Sequence, residues 1–244
     1  KTVEDITNIV KAFKEKYGDS NSLVMSQNIV SENGNNTYGM DALFALYGAY
    51  PKHWVTDADG NLVYGSNTDE AKTALAEIRK LVEDGTIDAS FTVRDSDQCA
   101  ELVTSGQAGI FFGAWWNMSW PLNNMVEEDP NIYWNAYLAP LTDDGTYNTA
   151  TLCPSSSFMV IKAGASEEVK EAAVKVMNYQ FDIDQDQCES LKSNPSDPYS
   201  WTSMPFSILL STYTDKETKA EKVLKAAAGE LDESELTGEA AQWY

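Results

Sequence analysis

Apolar residues at three- and four-residue spacing alternate along this chain with short apolar runs, and the two patterns predict helices and strands in turn. Ile6, Ile9, Val10 and Phe13 form one helical stripe. Thr2 and Asp5 stand at capping-box spacing ahead of it, and Gly18 is placed to close it. Residues 22–26 read as a short buried strand and 33–37 as a polar loop. Residues 40–47 read as a helix apolar on almost every face, hence internal. Between the apolar flanks of 55–64 stands Asp57-Ala58-Asp59-Gly60-Asn61. A calcium loop needs its glycine and closing glutamate at other positions, so the segment predicts a hairpin turn. A helix over 68–84 is expected to turn Leu75, Ile78, Leu81 and Val82 inward and to stop at Gly85. A helix over 96–105 ends at Gly106, and 108–113 is a buried strand bounded by glycine. Strands are predicted at 132–138 and 158–161, with a turn at 143–145 between them. Ser166 caps a helix whose Val169, Ala172, Ala173, Val176 and Met177 point inward. After a loop at 194–198, an amphipathic helix over 215–228 buries Ala220, Val223, Leu224 and Ala227, and a weaker helical stretch runs to Tyr244. No internal repeat appears, and the alternation of helix and strand indicates an α/β layered architecture.

Composition narrows the function more than the fold. The 244 residues carry 38 acidic and 17 basic side chains, a formal net charge of −21. Binding to nucleic acid needs clustered Lys and Arg, and docking on an anionic membrane needs the same, so both are excluded as partners. No apolar run is long enough to span a bilayer. Cys99, Cys153 and Cys188 lie far apart and the single histidine is His53, which leaves no zinc spacing and no disulfide framework. The cysteines read as small interior hydrophobes. A soluble partner or a small ligand remains.

Few residues offer catalysis. A Ser-His-Asp or Cys-His arrangement would have to use His53, in Tyr50-Pro51-Lys52-His53-Trp54, and no nucleophile elbow accompanies it. Gly106, Gly109 and Gly113 do not make a dinucleotide fingerprint and no phosphate-loop lysine follows, so no cofactor is expected. Paired carboxylates would serve a glycosidase, but sequence proximity among 38 acids singles out no pair. The informative cluster is aromatic. Trp115, Trp116 and Trp120 follow directly on the strand that ends at Gly113. In open α/β sheets ligands bind beyond strand ends, and an indole lies flat on the C–H face of a sugar while neighbouring amides and hydroxyls orient it. Asn117 is such an amide. The alternative is that all three indoles are core. On an extended backbone Trp115 and Trp116 point apart, and the pattern leaves open which one faces a ligand. Tyr38, in the loop before the internal helix, is either a contact or a lid over the core. Ser156, in a run of three serines, is a weaker hydroxyl candidate. Three readings follow: a binding protein, a carbohydrate-active enzyme with two carboxylates, and a structural or interaction module.

The order of short motifs is more specific than any one of them. Lys1-Thr2-Val3-Glu4-Asp5 is followed by Gly48-Ala49-Tyr50, Asp59-Gly60-Asn61-Leu62-Val63, and Lys80-Leu81-Val82-Glu83-Asp84-Gly85-Thr86-Ile87-Asp88. Gly109-Ile110-Phe111-Phe112-Gly113-Ala114-Trp115, Tyr137-Leu138-Ala139-Pro140-Leu141 and Ser157-Phe158-Met159-Val160-Ile161 come next, leading into Glu171-Ala172-Ala173-Val174-Lys175-Val176-Met177. The series resembles the family 1 extracellular solute-binding proteins of carbohydrate ABC transporters, the group that includes maltose-binding protein and larger lipoproteins of Gram-positive bacteria. The resemblance covers about the first 182 residues. It implies a type II periplasmic-binding-protein-like lobe, a mixed sheet flanked by helices, in a monomeric two-lobed protein. It also implies a carbohydrate ligand caught between the lobes without catalysis, cofactor or metal, and delivery to the membrane subunits of an ABC importer. Trp115 then takes the position that stacks on a sugar ring and Tyr38 a second aromatic position, with Trp116, Asn117 and Ser156 beside them. The chain is expected to be a fragment holding mainly the second lobe: 1–150 as lobe core, 151–182 as the strand and helix that cross toward the first lobe, and 183–244 as a helical C-terminal part. An extracellular location follows, with a lipoprotein anchor in the full-length form.

Overall fold

Thr2 starts the first helix as its spacing predicts. Its Oγ accepts from the Asp5 N–H at 3.3 Å, and the Asp5 carboxylate accepts from the Thr2 N–H at 3.0 Å. Helix α1 then runs Val3–Tyr17, with acids in its first turn and Lys14 and Lys16 in its last, matching the helix dipole. This computed structural model describes residues 1–18, 22–31, 37–118, 120–128, 132–150, 158–184, 212 and 214–244. The polar loop, Cys153, Ser156, Cys188 and the loop at 194–198 lie wholly or mostly outside them. The chain divides into two compact units, Lys1–Cys153 and Pro154–Tyr244.

In the first unit, strand β1 (Leu23–Val24) follows α1, then helix α2 (Asp41–Leu46), the hairpin β2 (Trp54–Thr56) and β3 (Leu62–Tyr64), helix α3 (Asp69–Glu83), helix α4 (Ser96–Thr104), strand β4 (Ile110–Phe111) and helix α5 (Leu122–Glu128). β1 pairs in parallel with β4, Leu23 opposite Ile110 and Val24 opposite Phe111. On its other side Leu23 bridges Ile87, also in parallel, which makes β1 central. Successive side chains of β1 enter different cores. Leu23 and Met25 join Ile6, Val10, Phe44, Ala74 and Ile78 from α1, α2 and α3. Val24 joins Cys99, Val103 and Met125 from α4 and α5. A strand covered on both faces reads as a continuous apolar run, which is why residues 22–26 carry no alternation. The architecture is therefore α/β with helices on both sides of a small parallel sheet. Cys99 is buried as expected of an interior hydrophobe.

Several expected details differ. The buried stripe of α3 is Ala71, Ala74, Ile78 and Leu81, while Leu75 is 50% exposed. Ala74 lets the helix approach the core closely, and this rotates the stripe by one position away from Leu75. Residues 132–138 are no strand. Ile132 and Trp134 pack inward while Tyr133 stands exposed, so the alternation is that of an extended chain lying on the second core with no ladder partner among the described residues. Its end is held by Leu141, which bridges Thr2.

The second unit contains helix α6 (Glu167–Asp184), helix α7 (Asp215–Ala227) and helix α8 (Gly238–Trp243). Ser166 caps α6, its Oγ accepting from the Val169 N–H at 3.4 Å. The predicted strand at 158–161 carries no pairing among the described residues, and Phe158 and Val160 are exposed. On α6, Ala173, Val176 and Met177 are half-buried but Val169 and Ala172 are exposed. On α7 the buried stripe is Asp215, Lys219 and Ala226, with Leu224, Ala220 and Ala227 exposed. Lys219 Nζ donates to the Asp215 carboxylate at 3.1 Å, an ion pair at i,i+4 spacing that lets two charged residues occupy the inner face. Ala226 packs there with Leu236 and Ala240.

Candidate functional site

β1 and β4 are parallel, so their C-terminal ends meet at one edge of the sheet. Tyr38 joins them. Its N–H donates to the Phe112 carbonyl and its carbonyl accepts from the Ser26 N–H, both at 2.9 Å. To do so its backbone takes a φ of +65°, a left-handed conformation uncommon for a side chain of this size. Beyond Phe112 the chain passes through Gly113 and Ala114 into a 3-10 turn, Trp115–Met118.

Asn117 holds that turn. It is buried, its Oδ1 accepts from the Thr37 hydroxyl at 3.2 Å, and its Nδ2 donates to the Trp120 carbonyl at 3.0 Å. A Cβ on residue 113 would collide with Asn117 Oδ1, so only glycine lets strand and turn approach this closely. The 3-10 turn also separates the two adjacent indoles. Trp115 is 48% exposed. Trp116 is half-buried, its ring 6.4 Å from that of Trp120 and tilted 30° from it.

A cavity of about 150 Å³ opens at the same edge. Gly113 and Ala114 line it from the end of β4, Asp41 from the first turn of α2, Tyr50 and His53 from the root of the hairpin, and Tyr147 from the segment after the 143–145 turn. Asp41 Oδ1 accepts from the Ser31 N–H at 3.0 Å. At the hairpin root a Cβ on Gly65 would collide with the Tyr50 carbonyl, so the second strand can return this close to His53 only as glycine. The turn closing the hairpin is built on Asp57, whose Oδ1 accepts from the N–H groups of Asp59 and Asn61 at 3.0 and 2.8 Å. It closes the predicted hairpin.

Of the residues singled out in the sequence, Trp115, Trp116 and Asn117 stand together at this edge. Tyr38 is close in the chain trace but wholly buried, its ring 5.2 Å from that of Phe111. Its hydroxyl has no hydrogen-bond partner among the described residues. Burial pushes the Tyr38 phenol well above the ordinary tyrosine range and the neighbouring Cys99 thiol up to about 11. Tyr38 thus braces the sheet and presents no face to a ligand. The amide of Asn117 is already engaged, so it positions the turn. Ser156 lies outside the described residues. Asp41, Tyr50 and Tyr147 were not singled out, because each reads as an ordinary loop or helix-start residue until the fold brings them to one cavity. Among the described residues no group of three His, Cys, Asp or Glu side chains is arranged to hold a metal, and no helix is long and apolar enough to cross a membrane.

No family model matches the chain. It is similar to "Lipoprotein LipO" of Bacillus subtilis, 30% identical over 123 residues that make up 45% of this chain and 22% of the relative. It is also similar to the "Polygalacturonan/rhamnogalacturonan-binding protein YtcQ" of the same organism, 26% identical over 113 residues, 46% of this chain and 22% of the relative. A third relative, named "Uncharacterized protein in butB 5'region", from Niallia circulans, is 26% identical over 110 residues, 45% of this chain and 42% of its own length. The matched stretch thus spans about a fifth of each Bacillus subtilis relative.

Proposed function

We propose that this chain is the ligand-holding lobe of an extracellular carbohydrate-binding protein that passes its ligand to an ABC importer. The observation that carries the reading is the Trp115 indole, 48% exposed at the C-terminal end of a parallel strand and next to a cavity in which Asp41, Tyr50, His53 and Tyr147 stand among apolar side chains. A large aromatic left open at that point in an α/β fold suits a sugar ring better than an ion or a nucleotide. The name of one relative, a binder of polygalacturonan and rhamnogalacturonan, supports the same chemistry, and the name of another supports a lipoprotein. On this reading the lobe is of the type II periplasmic-binding kind, as the motif series of family 1 implies. Residues 1–150 are its core, 151–182 connect it to a further lobe, and 183–244 form a helical end. The protein acts as a monomer and does no chemistry on the sugar.

Each residue then has a part. Trp115 stacks on the ring, Trp116 packs against Trp120 beside it, and Asn117 fixes the turn that presents both. Ser156 supplies a hydroxyl, and Asp41 accepts from sugar hydroxyls in the cavity. Titrating the chain with trisaccharides of glucose, mannose, galactose and galacturonic acid tests this by tryptophan fluorescence. Saturable quenching or enhancement by at least one sugar, with the sugar recovered intact, is expected. No response to any sugar, or cleavage of one, overturns it.

A further inference from the structure

The cavity beside Trp115 has a neighbour of about 250 Å³, and Val30 and Pro51 line both. The two differ in chemistry. The first holds the Asp41 carboxylate, which only accepts hydrogen bonds. The second is lined by the polar side chains of Gln27, Asn28, Lys52 and Ser66, with no acid among the described residues around it. In a chain of formal charge −21, a cavity with a cation and no carboxylate stands apart. The backbone of Lys52 is bent to serve it. Its φ is +67°, a left-handed conformation uncommon outside glycine. Two contacts hold that conformation, and both partners line the cavity. The Lys52 N–H donates to Ser66 Oγ at 2.8 Å, and Nζ donates to the Val30 carbonyl at 3.0 Å.

An ammonium carries three N–H groups, so the Val30 carbonyl takes one and leaves two to donate. Among the described residues no carboxylate pairs with Lys52. Ser66 Oγ accepts from the Lys52 backbone, which leaves its O–H as a donor. A carboxylate is all acceptor, and its bond from an ammonium is stronger than one between neutral groups. The volume falls below the roughly 300–1,000 Å³ of pockets for drug-sized ligands and suits a single sugar residue. We propose that this second cavity is a subsite for an acidic sugar, whose carboxylate sits on Lys52 while a neutral residue of the same glycan stacks on Trp115. A carboxylate beside Asp41 would meet a like charge, so the two cavities sort the residues of one glycan by charge. The inference rests on the sugar-binding reading above and adds the class of glycan.

Calorimetry of the chain tests it with matched pairs. Each of the glucose, mannose and galactose trisaccharides is measured beside the same sugar with the C6 alcohol of one terminal residue, at either end, oxidised to a carboxylate. In at least one pair the oxidised member is expected to bind at least about threefold more tightly, the scale of a partly exposed ion pair. Lys52→Gln, which keeps a donor but removes the charge, should shrink that ratio below about twofold. Lys52→Arg, which keeps the charge, should retain it. A lysine that only ties Val30 to the hairpin root would, on replacement, lower both members of a pair by one factor and leave the ratio as it was. That result, or binding of every oxidised sugar no tighter than its parent, overturns this inference and leaves the sugar-binding reading standing. Binding of no sugar in the set removes both.

Discussion

Tyr38 packs a full aromatic ring into the core on a left-handed backbone, and it buries a hydroxyl with no partner among the described residues. An unmet buried hydroxyl costs stability, so its removal with the ring kept in place is neutral or favourable. Tyr38→Phe is expected to leave the urea midpoint unchanged or to add up to about 1 kcal/mol, with sugar affinity unaffected. A tenfold loss of affinity would instead put the hydroxyl on the ligand. The tryptophan cluster was legible in the sequence as a candidate, but its geometry was not. Spacing treats Trp115 and Trp116 as neighbours on an extended strand, whereas a 3-10 turn sets successive residues about 120° apart. That turn depends on the Thr37–Asn117 hydrogen bond, 80 positions apart in the chain, and no local pattern reports such a contact.

Among the elements, capped helices were the most legible. Thr2 and Thr68 accept from N–H groups three residues ahead, as short-range chemistry dictates. Asp95 and Gln98 form a second capping box ahead of α4 that was not read from the sequence, although its spacing is the same. The inner face of a helix is harder, because two residues on the border of a stripe compete and packing chooses between them. On α3 it chose Ala74 over Leu75. Leu75→Ala should therefore cost less than about 0.5 kcal/mol, while Ile78→Ala should cost about 2–5 kcal/mol, both read from chemical denaturation. Equal costs would return Leu75 to the core. The apolar runs at 132–138 and 158–161 show the opposite failure. Alternation reveals an extended backbone, but a strand also needs a neighbour, and neighbours are set by the whole fold.

For the whole molecule, charge and burial together set its response to pH. The buried Cys99 thiol is pushed from an ordinary 9.0 to about 11, and the Tyr38 phenol is pushed in the same direction. Both groups are neutral when protonated, and the folded state holds those protons more tightly than the unfolded chain does. Their contribution is therefore fully present below about pH 9 and is lost as pH rises toward 11. Urea midpoints should be level from pH 7 to 9 and then fall, less steeply in Cys99→Ala than in the native chain. A level profile through pH 11 would show that neither group is held protonated by the fold.

The central claim is that an exposed indole at the end of β4 is a sugar platform and not part of the core. Calorimetry and denaturation of Trp115→Ala, measured side by side, test it most directly. The account predicts at least about a tenfold loss of affinity for the best-binding trisaccharide with less than about 1 kcal/mol change in stability, as for an aromatic anchor at a binding surface. Unchanged affinity, or a stability loss of about 3–5 kcal/mol as for a core indole, would contradict it.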